Sequence, residues 1–135
     1  MRGDHLRRGH TTSCGCRVKE TRFRKYPAEE TEQRVMYGRY AAGAATRNYE
    51  FALTFNEFVL LASLNCYYCG APPVARRQGV YRAVMNGIDR CDNNLGYIKT
   101  NVVPCCTVCN RAKGTLSAGE WETWLNRIVA FRSTK

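Results

Sequence analysis

The sequence predicts a small α+β domain, and three observations predict it. Two C-x-x-C pairs, Cys66-Tyr67-Tyr68-Cys69 and Cys106-Thr107-Val108-Cys109, stand with 36 residues between them. Short runs of strand composition, VYRAVM and NVVP, fall in that interval. Segments with helix-start chemistry lie on either side, at Thr54 to Glu57 and Ser117 to Glu120. A length of 135 residues suits one domain with room for a small appendage.

Taken in order, residues 1–25 are short of large apolar side chains and rich in Gly, Thr and Arg, which reads as a basic N-terminal arm. Residues 26–51 read as a linker carrying a short helix. The helix would start after Pro27, with Glu29 and Glu30 in its favourable first turn, and residues 41–50 would be irregular. The main domain is expected over 52–132. Thr54-Phe55-Asn56-Glu57 has the form of a capping box and predicts a helix over about 55–64. Pro72-Pro73 then forbids regular structure. Val80 to Met85 reads as a strand. Asn86-Gly87 is a hairpin signal, although Ile88 could also carry the strand past the glycine. Asp92-Asn93-Asn94 and Gly96 mark a loop, and Asn101 to Pro104 a short extended run stopped by the proline. Thr107 to Lys113 would form a turn or two of helix, ended by Gly114. A last helix follows Ser117, with Trp121, Trp124, Leu125, Ile128 and Val129 on one stripe that the periodicity assigns to the core.

The formal net charge is +10, and it divides evenly. Residues 1–50 carry 11 Lys/Arg against 6 Asp/Glu, and residues 51–135 carry 10 against 5. Each half is therefore +5, which points to a polyanion, nucleic acid before membrane, with a merely basic soluble surface as the bland alternative. The longest apolar run, FVLLA, is far too short to span a bilayer. The N-terminus MRGDHLRRGH has no apolar core of a signal peptide, so a cytoplasmic, non-secreted location is expected.

Eight cysteines in such a chain favour metal over disulfides. Cys66, Cys69, Cys106 and Cys109 fit a tetrahedral zinc site of four thiolates, which leaves no open position for catalysis by that ion. The segment they enclose is too small and too poor in aliphatics to hold itself together without a staple. Cys91 and Cys105 are expected to be buried thiols. Cys14-Gly15-Cys16 looks like half of a further knuckle, with two free thiols on an arm the plainer alternative.

Between the knuckles, Asp89 and Asn110 offer hard oxygen ligands of the kind Mg²⁺ or Mn²⁺ takes beside a phosphate, whereas sulfur serves zinc. The alternative for Asp89 is an ion pair with Arg90 or another neighbour. For Asp92-Asn93-Asn94, plain turn chemistry suffices.

Together CYYCG, NGIDRCDN, GYIKTNVVPCCTVC and CNRAKG resemble the zinc-bearing branch of the HNH, or ββα-metal, nucleases of phage and bacterial type. The likeness covers about residues 52–132. It implies a ββα-metal core with flanking helices. Asp89 and Asn110 would then be catalytic-metal ligands, and Asn101 the asparagine that braces the loop. Cys66, Cys69, Cys106 and Cys109 would be the structural zinc set, and Lys113 a basic position near the DNA phosphate. The departure is Arg90, where the family usually has the histidine that activates water. Arginine cannot take a proton at neutral pH. Arg90 would instead hold the phosphate, and the base would be Asp92, Tyr97, an arm histidine (His5 or His10) or metal-activated water. Arg76, Arg77, Arg90, Arg111 and Lys113 would meet the nucleic-acid backbone. LRRGHTTSCGC more weakly resembles the end of a Cys-rich module that accompanies such cores in phage-type proteins. The resulting expectation is a metal-dependent endonuclease acting on DNA, with RNA an open possibility and the oligomeric state not fixed. The alternative is a zinc-stabilised nucleic-acid-binding or assembly protein that does not cut.

Overall fold

The computed structural model describes residues 26–75 and 83–135. Its elements, in chain order, are α1 (Ala28–Thr46), α2 (Phe55–Ala62), β1 (Val74–Ala75), β2 (Val84–Met85), β3 (Gly87–Arg90), β4 (Val102–Cys105), α3 (Thr107–Lys113) and α4 (Ala118–Ser133). The expectations for residues 1–25, Cys14 and Cys16 among them, and for Arg76 and Arg77 lie outside the described residues.

Helix α1 corrects the reading of residues 41–50 as a linker, because it runs 19 residues through AAGAAT. Alanine carries little entropic cost in a helix, so a run that looks featureless in sequence still propagates one. Packing then decides. Met36 and Ala44 are buried, the Tyr37 hydroxyl donates to Leu53 O at 2.8 Å, and the Tyr37 ring meets Phe51, Phe55 and Phe58 edge-on. Helix α2 forms as predicted. Thr54 accepts from Glu57 N, and the Glu57 carboxylate accepts in return from Thr54 N, which satisfies two donors the first turn would leave unpaired.

Asn86 does not turn a hairpin. Its amide donates to Leu64 O and Ala71 O, and its backbone N–H donates to Ala62 O, so it pins the chain between two strands of different sheets. Strands β1 and β2 pair with each other, and β3 pairs antiparallel with β4 in the register Gly87↔Cys105, Ile88↔Pro104, Asp89↔Val103, Arg90↔Val102. Pro104 does not stop β4 as expected. In a two-stranded ribbon its missing N–H faces outward, and its carbonyl accepts from Tyr67 N at 2.8 Å. The helix α3 follows at once and ends at Gly114, whose φ of 54° suits a residue without a Cβ.

Two cores result. One gathers Met36, Leu53, Phe58, Ala62, Met85, Ile88, Tyr97 and Val102 beneath α1 and α2. The other holds Cys66, Cys105, Cys109 and Trp121, with Tyr68 and Leu125 against it. The stripe on α4 is the larger correction. Only Trp121 is fully buried, while Trp124 and Ile128 are each 38% exposed and Val129 is 62% exposed. A helical period shows which residues share a face, not whether anything covers that face.

Candidate functional site

The site rests on the two knuckles. Cys66 and Cys69 sit on the turn after α2, and Cys106 is the N-cap of α3, its sulfur accepting from Cys109 N. The four sulfurs lie within 4.8 Å of one another, and Cys69 Sγ is 3.7 Å from Cys106 Sγ. A tetrahedral zinc–thiolate site, with Zn–S of about 2.3 Å, spaces its sulfurs by about 3.8 Å, so the donor set and its dimensions fit such an ion. Burial raises the Cys66 thiol, but the backbone amides of Cys106, Cys69 and Tyr68 outweigh it and bring it down to about 6. Burial, with Cys69 and Cys106 alongside, raises Cys109. Cys105 is fully buried and donates to Cys106 O, and burial raises its thiol too, which suits an inert packing residue. Cys91 is half-buried rather than buried.

Asp89 lies on β3 with 9% exposure. Its Oδ2 accepts from the Tyr68 hydroxyl at 2.9 Å and pairs with Lys113 Nζ at 3.0 Å. The ion-pair alternative therefore applies, but with Lys113 and not Arg90. Lys113 is 1% exposed, and its ammonium also donates to Arg90 O at 3.1 Å. Lys113 therefore spends its ammonium on Asp89 and the Arg90 carbonyl within the fold. Tyr68, which the sequence reading passed over, is raised by burial and by its bond to Asp89, so it stays a phenol and a donor. No sequence signal beyond its place inside the first C-x-x-C pointed to it.

Asn110 lies on α3 and lines a cavity of about 280 Å³ with Tyr40, Gly87, Cys105, Thr107 and Arg111. Gly87 and Asp89 are two residues apart on one strand and share a face, and Asn110 and Lys113 are three apart on one helix and share another. The two elements are tied by the Asp89–Lys113 pair, and Gly87 and Asn110 line the same cavity. Asp89 is therefore one strand repeat, roughly 6.6 Å along β3, from the residue that shares Asn110's cavity. Gly87 is required there. A Cβ would collide with the Tyr40 hydroxyl, which accepts from Ile88 N at 3.0 Å.

Arg90 turns inward to its own loop. Nη1 donates to Asn93 O at 3.0 Å and Leu95 O at 2.8 Å, and the guanidinium lies 3.8 Å from the Tyr49 ring centroid. Asn101, 3% exposed, accepts from Asp92 N and donates to Asp92 O and Gly96 O, tying both ends of that loop. Of the candidate bases, Tyr97 is buried in the first core with its hydroxyl accepting from Arg47 Nη2. Asp92 is exposed and closes an Asx-turn by accepting from Asn94 N at 2.8 Å. Arg111 is exposed at the cavity edge.

A solved structure with a similar chain path is that of PacI, described as a rare-cutting HNH restriction endonuclease. It superimposes with a TM-score of 0.54 over 71% of this chain and 75% of that one, at 24% identity. The likeness is one of fold. No protein-family model matches the chain. In sequence, 81 residues are 43% identical to the uncharacterized protein R423 of Acanthamoeba polyphaga mimivirus. That stretch is 60% of this chain but 14% of the viral protein, so the chain spans a small part of its relative's length. No described helix is long and apolar enough to cross a membrane.

Proposed function

We propose that the chain is a metal-dependent endonuclease that hydrolyses phosphodiester bonds in DNA, with Zn²⁺ on the four cysteines as staple. The observation that carries this reading is the buried Asp89 carboxylate on β3, facing the helix that bears Asn110, in an HNH-like fold. Its Oδ2 is engaged, so Oδ1 and the Asn110 carbonyl are the hard oxygens that would hold Mg²⁺ or Mn²⁺. Bound there, such a cation polarises a phosphoryl oxygen and stabilises the leaving oxygen. The chain's own part is positioning. Tyr68 and Lys113 hold the carboxylate in place. Asn101 and Arg90 shape the loop, and the guanidinium N–H groups that Arg90 does not spend on the loop are left for phosphate. Arg111 at the cavity rim, with Arg76 and Arg77, would meet the DNA backbone.

The test is incubation of supercoiled plasmid with the purified protein in Mg²⁺, Mn²⁺ or EDTA. Nicked circles are expected with either metal and none with EDTA. Asp89→Asn should abolish nicking while zinc content and circular dichroism stay unchanged. One observation favours a second reading, in which the domain binds nucleic acid without cutting it. Lys113 already supplies Asp89 with a positive charge. A gel shift with no nicking under any metal would establish that reading instead.

A further inference from the structure

Helix α4 carries more apolar surface than the described residues cover. Trp121 anchors its first turns and stacks on Trp124 at 5.1 Å. Beyond that anchor Trp124, Ile128 and Phe131 continue one stripe at spacings of four and three, with Phe131 60% exposed and Val129 beside them. Its charges are also sorted. Glu120 and Glu122 lie in the first turns, whereas Arg127, Arg132 and Lys135 lie towards and past the end. A parallel copy would set like charge on like, while an antiparallel copy brings the acidic first turns of each helix towards the basic Arg127 of the other. Glu120 and Arg127 are seven residues apart and share a flank. In an antiparallel pair centred near Trp124, Glu120 of each copy meets Arg127 of the other. That flank also holds a cavity of about 590 Å³, lined by Leu116, Gly119, Glu120, Thr123, Trp124 and Arg127. A Cβ on Gly119 would meet nothing within 4 Å, which leaves the cavity open for a side chain from outside.

We propose that α4 is a self-association surface that takes a second copy of this chain in antiparallel register. The interface is isologous, so one set of residues supplies both halves of every contact. It does not depend on the nuclease reading. Sedimentation equilibrium of the full chain, purified with zinc, tests it. The expected result is twice the 15.4 kDa chain mass at about 10–100 μM. A single-chain mass across that range overturns the proposal. Ile128 belongs to neither core, so Ile128→Asp should give a monomer with unchanged zinc content and far-ultraviolet circular dichroism. Persistence of the dimer in that variant also overturns it. Arg127→Glu should raise the dimer Kd about tenfold or more. Adding Glu120→Gln, which keeps the capping box, should recover part of that loss. A Kd indifferent to Arg127→Glu overturns the antiparallel register.

Discussion

Lys113 is the residue whose meaning changed most between sequence and structure. In sequence it is one more cation near the end of a helix in a basic chain. Its burial follows from the register of α3 against β3, which no local pattern encodes, and it turns a surface cation into the partner of the one buried carboxylate at the site. The two partners of Asp89 should differ in weight. Lys113→Met leaves a carboxylate buried without compensation and is expected to cost about 3–5 kcal/mol in urea unfolding. Tyr68→Phe removes one hydrogen bond and keeps the ring's packing on Trp121, so about 1–2 kcal/mol is expected. Equal losses would mean that the ammonium is not what offsets the charge of Asp89.

At the scale of elements, the legible parts were those with local causes. Both capping boxes form with both halves in place, at Thr54/Glu57 and Ser117/Glu120, because the box needs only side chains three residues apart. The place of Asn101 came from the resemblance alone, and its amide does tie residues 92 and 96 together. The extent of α1 and the exposure of α4 were not legible, since each depends on what lies opposite the helix. The Thr54 box also carries a pH signature. The Thr54 backbone amide, then Lys99, hold the Glu57 carboxyl down at about 2 from 4.5. A depressed carboxyl contributes stability that is complete above its unfolded value and disappears as pH falls through its folded value. Glu57→Gln should therefore flatten the acid limb of stability between about pH 4.5 and pH 2, and have less effect on its shape near neutrality. An unchanged acid limb would remove Glu57 from the account of acid unfolding.

For the whole molecule, the two knuckles join segments about 40 residues apart into the second core, around Trp121. Chelation of the metal should release that core, seen as loss of near-ultraviolet tryptophan dichroism, while the core beneath α1 and α2 outlasts it. Simultaneous loss of both would show that the molecule has one cooperative unit. The +10 charge should appear as DNA affinity that falls steeply and linearly in a plot of log K against log salt.

Mn²⁺ binding to the zinc-loaded protein, followed by electron paramagnetic resonance, tests the central claim most directly. One Mn²⁺ per chain is expected, with that binding lost in both Asp89→Asn and Asn110→Ala and zinc retained in each. Undiminished binding in either variant, or none in the parent protein, would contradict the claim that these two side chains grip one hard cation.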